Sequence, residues 1–133
     1  MQRLLITLAL TAGWFGTATA QATHAVRLEV DTKRGEYRFS PATVTVRPGD
    51  VVEFTVVNGA PHSVVFEGKG LSPAAHEALN GAMPRRTADL SSPLLTENGS
   101  GYRVTVPNLP PGSYPFFCLP HRAYDMRGEL RIK

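Results

Sequence analysis

The stretch Phe116-Phe117-Cys118-Leu119-Pro120-His121-Arg122-Ala123-Tyr124-Asp125-Met126 holds the only cysteine of the chain, a histidine three residues on and a methionine eight residues on. A thiolate, an imidazole and a thioether gathered in one loop make three ligands for a single soft or borderline metal ion. With 4 His and 3 Met among 133 residues, this spacing after a given cysteine arises by chance roughly once in 1,500. Upstream, Pro61-His62-Ser63-Val64-Val65-Phe66 offers a second imidazole. Two His, one Cys and one weak axial Met form the ligand set of a mononuclear blue-copper electron-transfer site. His62, Cys118 and His121 would make a trigonal plane, with Met126 at a longer axial distance.

Outward from this loop, the chain reads as short strands punctuated by turns. Ser113 to Cys118 leads into the loop and Gly128 to Ile132 leads out of it. Val26 to Val30 and Thr43 to Arg47 alternate with period two, and Val51 to Val57 is rich in β-branched residues. Tyr37 to Phe39, His62 to Phe66 and Tyr102 to Val106 complete the set. Pro48-Gly49-Asp50 and Asn58-Gly59 mark turns, because Pro presets the first turn dihedral and Gly accepts positive φ. Seven or eight such strands in about 110 residues predict an all-β, antiparallel β-sandwich. The rhythm breaks around residues 70–100. There Ala74 to Leu79 predicts one or two helical turns opened by Ser72-Pro73, and the remainder reads as irregular loop.

The first 20 residues read as a cleaved signal peptide. Arg3 is the positive start, Leu4 to Phe15 a short apolar run, and Ala18-Thr19-Ala20 an A-x-A cleavage site before Gln21. The run is too short and too interrupted to span a bilayer well, so stable membrane insertion is not expected. Residues 21–133 then form one domain, large enough for a single core. Loss of Arg3 lowers the formal charge by one from the +3 of the whole chain, and no dense Lys/Arg run marks a nucleic-acid binder. Export brings an oxidising compartment, where one unpaired cysteine needs a reason to survive; metal ligation supplies it.

At these residues the chain resembles the cupredoxins, most closely their plastocyanin and azurin branch. That pattern is a Pro-His at a strand end, then Cys-x-x-His-x(4)-Met in the loop before the last strand. The resemblance runs from Ala25 to Lys133 and thins in the insert. It implies a Greek-key sandwich with one type 1 copper ion as cofactor, and a hydrogen bond from the Ser63 backbone N–H to the Cys118 sulfur. Two positions depart from it: Ser63 stands where Asn often follows the first histidine, and Asp125 where Gly commonly precedes the methionine.

Taken singly, Cys118 is ordinarily a small buried hydrophobe, Met126 core packing and His121 a loop histidine. Their joint spacing in an exported β-rich chain reverses those readings. His24 reads as tail, His76 as a solvated loop residue, and Arg85-Arg86 as a solvated turn. Zinc also binds Cys and His, but structural zinc sites close with further Cys or His, and a thioether points to copper.

The function expected is that of a monomeric, exported electron carrier, most simply periplasmic and not an enzyme. Its partners would be redox proteins such as a c-type cytochrome or a membrane oxidoreductase complex. Ala60, Pro61, Leu119 and Pro120 are expected to form an apolar electron-transfer patch around an exposed edge of His121. The alternative is a copper carrier or chaperone for another exported protein; those more often use Met-rich or His-rich runs, which are missing from this sequence.

Overall fold

The computed structural model describes residue 16 and residues 19–133. Arg3, the run Leu4–Phe15 and Ala18 of the expected export signal lie outside the described residues. Among the described residues, alternation of apolar and polar side chains builds eight strands: β1 (Thr23–Asp31), β2 (Glu36–Ser40), β3 (Thr43–Val46), β4 (Val51–Val56), β5 (Val65–Phe66), β6 (Gly101–Thr105), β7 (Gly112–Phe117) and β8 (Arg127–Ile132). One helix, α1 (Pro73–Ala82), lies between β5 and β6. Strict period-two burial is clearest in β3 and β6, where every second side chain faces inward.

The strands form two four-stranded sheets, ordered β2-β1-β4-β6 and β3-β8-β7-β5. The expected sandwich is therefore present, but its pairing is mixed rather than purely antiparallel. β1 runs parallel to β4 and β3 parallel to β8. The turn signals explain the difference. Pro48-Gly49-Asp50 does not close a hairpin; it carries the chain from β3 in one sheet to β4 in the other. Strands that leave a sheet and return can re-enter beside a neighbour in the same direction.

The inner faces meet on a cluster of aromatic rings. Phe116 packs edge-on against Phe39, Phe54 and Phe66 at centroid separations of 4.8, 5.5 and 5.7 Å. All four phenylalanines are buried, and each such side chain contributes about 1.5–3 kcal/mol on burial. Gly128 permits this packing, because a Cβ there would lie 2.6 Å from the Phe116 ring and 2.8 Å from the Ala42 carbonyl oxygen.

The insert is more ordered than its sequence predicts. Pro73 sits in the first turn of α1, and the Ser72 hydroxyl caps it by accepting the Ala75 N–H at 3.1 Å. Ala75 and Leu79, one turn apart, bury the inner face. His76 therefore lies on the helix and not in a loop; its Nε2 stands 2.9 Å from Asp89 Oδ2. His24 likewise is no tail residue. It belongs to β1 and its Nε2 stands 2.9 Å from Asp50 Oδ2. Arg85 and Arg86 are exposed, as a solvated turn requires.

Because β1 and β4 run parallel, their C-terminal ends lie at the same end of the sandwich. The β1–β2 hairpin tip, the Asn58–His62 segment and the loop between β7 and β8 all gather there.

Candidate metal centre

His62 reaches this end by a path the sequence did not disclose. The expected strand His62 to Phe66 is regular only at Val65–Phe66. The preceding residues pair instead with the insert. His62 N–H donates to the Leu95 carbonyl at 3.0 Å, and Leu95 N–H returns a bond at 2.8 Å. Ser92 N–H donates to the Val64 carbonyl, while Val64 N–H donates to Ser92 Oγ, both at 2.9 Å. The second half of the insert thus buttresses the histidine segment.

Asn58 orients the His62 ring. The imidazole Nε2–H donates to the Asn58 carbonyl at 2.8 Å, which leaves the Nδ1 lone pair free. The Asn58 side chain is itself fixed, its Oδ1 accepting Val30 N–H at 2.7 Å. The next residue, Gly59, has φ 71°, and a Cβ there would fall 2.7 Å from Val30 Cγ1. The position therefore demands glycine on two counts.

Cys118 follows β7 directly, and its loop is knotted by its own backbone. Cys118 N–H donates to the Met126 carbonyl at 3.0 Å. Tyr124 N–H and Met126 N–H both donate to the His121 carbonyl, at 3.0 and 3.3 Å. A short 3-10 turn, Arg122–Tyr124, ends at Asp125 with φ 57°. That left-handed conformation costs a glycine least, and Asp tolerates it better than most other residues. Asp125 Oδ1 also accepts from Arg127 Nε at 2.8 Å.

These elements bring His62, Cys118 and His121 together. His62 Nδ1 lies 3.7 Å and His121 Nδ1 3.5 Å from Cys118 Sγ. All three donor atoms lie within 4.8 Å of one another. Donors sharing one ion at roughly 2.0–2.3 Å stand roughly 3.5–4 Å apart, so this set fits a single metal ion. Met126 is fully buried directly after this loop.

Ser63 joins the two ligand segments. Its N–H donates to Cys118 Sγ at 3.4 Å, and its hydroxyl accepts Leu119 N–H at 3.0 Å. Burial sets the protonation states. Desolvation pushes the Cys118 thiol up, with the Ser63 and His121 backbone N–H groups acting against it. Desolvation pulls His62 and His121 below the usual imidazole range, and His62 adds to the effect on His121. Both rings are therefore held neutral, as ligation requires.

Of the expected surface patch, Pro61, Leu119 and Pro120 are exposed and Ala60 is half-buried. His121, expected to present an imidazole edge there, is 7 % exposed as a whole residue. Tyr37, brought from β2 by the hairpin, stacks on its ring at a centroid separation of 3.8 Å and an interplanar angle of 17°. Sequence reasoning missed Tyr37 and Asn58. Tyr37 carried no signal beyond a short apolar piece 84 residues away. Asn58 was legible as a turn but not as the partner of a histidine four residues on.

Residues 26–133 match the family of copper binding proteins described as the plastocyanin/azurin family. The plastocyanin of the fern Dryopteris crassirhizoma is 31% identical over 107 residues, covering 80% of this chain and 99% of its own. The plastocyanin of Nostoc punctiforme is 28% identical over 136 residues, covering 97% and 89%. The oxidized form of the Dryopteris plastocyanin superposes with a TM-score of 0.64 over 82% of this chain and 99% of that one, at 30% identity. An oxidized mutant amicyanin, at 20% identity, superposes with a TM-score of 0.58 over 86% of each chain and shows the shared fold. A buried two-histidine, one-cysteine cluster at one end of a β-sandwich defines a cupredoxin. The chain belongs to the plastocyanin/azurin family of copper-binding proteins.

Proposed function

We propose that the protein is an exported single-electron carrier in which His62 Nδ1, Cys118 Sγ and His121 Nδ1 would hold one copper ion, with the Met126 thioether as a weaker fourth donor. The observation that carries this reading is the convergence of the three donors, with His62 Nε2 already committed to Asn58. When bound, copper supplies a one-electron Cu(II)/Cu(I) couple.

The chain's part is to hold the ligands still. Asn58 fixes the His62 tautomer, Ser63 ties the two ligand segments together, and the Cys118–Met126 backbone bond closes the loop. Such anchoring limits rearrangement between oxidation states. Four protein ligands leave no open position for a substrate, which suits a carrier and not an enzyme. Residues 1–20 serve as the export signal, and residues 21–133 are the mature domain, placed in the periplasm. No helix among the described residues is long and apolar enough to cross a membrane.

The patch of Ala60, Pro61, Leu119 and Pro120 receives a redox partner such as a c-type cytochrome or a membrane complex. Small apolar contacts suit brief redox encounters that must release quickly. The test is a redox titration of the copper-loaded protein, followed by stopped-flow mixing with a c-type cytochrome at low and high salt. The expected result is one reversible one-electron wave and rapid exchange, slowed more by Leu119→Glu or Ala60→Glu than by salt. A protein that shows no reversible wave but surrenders its copper readily to an acceptor protein would instead be a carrier of the metal.

A further inference from the structure

We infer that Tyr124 and Tyr37 form the contact through which a docked redox protein exchanges electrons with His121, an inference that rests on the electron-carrier reading above. Three observations carry it. His121 is buried, so a partner meets little of its imidazole directly. Its ring is stacked by Tyr37 at 3.8 Å. Tyr37 in turn meets Tyr124 at a centroid separation of 4.9 Å, and Tyr124 is 61% exposed. The three rings make a continuous column from a metal ligand to solvent. Tyr124 and Leu119 are both large exposed apolar side chains, flanking His121 in the same loop. Aromatic side chains dominate the anchors of protein contacts because they offer large rigid area at small entropic cost.

The partner that fits is a c-type cytochrome whose haem edge lies at an apolar surface. One electron leaves the ferrous haem, which becomes ferric, and one arrives at the copper held by His121. Neither tyrosine is oxidised or loses a proton; the rings provide van der Waals contact that shortens the gap between the two centres. Tyr124 sets the partner's position, and Tyr37 bridges to the ligand.

The test uses the copper-loaded protein and its variants Tyr124→Ala, Tyr124→Phe, Tyr37→Leu and Tyr37→Phe. Electron exchange with a c-type cytochrome is followed by stopped flow, and self-exchange between oxidised and reduced protein by NMR line broadening. The fully reduced protein is also titrated with ferrous cytochrome, where no electron moves, and its amide shifts are mapped. Removing a ring should slow both exchange reactions roughly tenfold, inside the range over which variants of one interface differ. The Phe variants should keep the wild-type rate, and the visible band should be unchanged throughout. Amide shifts should extend from the Leu119 patch onto Tyr124 and the residues around Tyr37. Wild-type rates in Tyr124→Ala, alongside slow exchange in Leu119→Glu, would overturn this inference and leave the carrier reading intact. A contact map that omits Tyr124 would overturn it equally. Failure of the unmodified protein to take up copper as a coloured centre would remove both.

Discussion

The Ser63 hydroxyl accepts the Leu119 N–H at 3.0 Å while the Ser63 backbone N–H points at Cys118 Sγ from 3.4 Å. One residue thereby serves both sides of the metal centre. Ser63→Ala keeps the donor to sulfur and deletes the acceptor for Leu119. A half-buried N–H left without its partner costs about 1–3 kcal/mol. We predict that Ser63→Ala lowers the stability of the metal-free protein by about 1–2 kcal/mol in denaturant unfolding, and that its copper form keeps the visible band. Loss of the band in this variant would mean that the hydroxyl, and not the backbone donor, governs the sulfur.

Protonation of the three ligand side chains sets how copper binding responds to pH. Burial raises the Cys118 thiol and lowers both imidazoles, so between these ranges the thiol holds its proton and the rings do not. Binding of Cu(II) as thiolate must then release one proton, from Cys118 alone. Copper affinity should rise about tenfold per pH unit near neutrality. Calorimetry in buffers of different ionisation enthalpy reads the proton count directly. Release of no proton, or of two or more, would contradict these states.

Much of this was legible in the sequence, and the residues show why. The Cys-x-x-His-x(4)-Met spacing is local, because all three residues lie in one loop closed by the Cys118–Met126 backbone bond. The period-two strands were legible for the same reason: each is a local pattern with one buried face. What could not be read depends on contacts between distant segments. The parallel pairing of β1 with β4 follows from the order in which the chain changes sheets. The stacking of Tyr37 on His121 needs the hairpin to fold over the metal end. The insert's bridge from Leu95 to His62 joins residues that no periodicity connects. His24 looked like tail because its partner, Asp50, comes 26 residues later.

Met126 is the ligand whose removal should tune and not abolish the centre. A thioether is a soft, weak donor, and a harder oxygen donor favours Cu(II). We expect Met126→Gln to retain copper and colour with a lower reduction potential, and Met126→Leu to raise it. Potentiometric titration of the three proteins decides the point. Unchanged potentials in both variants would show that the Met126 sulfur is not the axial donor.

At the far end of the sandwich, Asp50 is held in a hydrogen-bonded cluster that should contribute to acid stability. Its carboxylate accepts from His24 Nε2, Arg47 N–H and Ala22 N–H, and these bonds, led by His24, pull its pKa from 3.8 down to about 2. A carboxyl depressed in the folded state stabilises fully above its unfolded pKa and loses that contribution as pH falls toward the folded value. The window is therefore pH 4 down to about 2. Asp50→Asn should be less stable at neutral pH and should show a shallower loss of stability across that window. Equal slopes for the two proteins in acid titrations of unfolding would show that other carboxyl groups control the transition.

The proposed function stands on a thiolate bond from Cys118 to copper, with His62 and His121 completing the set. Its most direct measurement is the visible absorption spectrum of the protein spanning residues 21–133 after addition of one equivalent of Cu(II), compared with that of Cys118→Ser. An intense visible band is expected in the unmodified protein, bleached by ascorbate and restored by oxidation, and no such band in Cys118→Ser, whose oxygen is too hard and too basic to replace the thiolate. A Cys118→Ser protein that keeps the band, or an unmodified protein that binds copper without one, would contradict it.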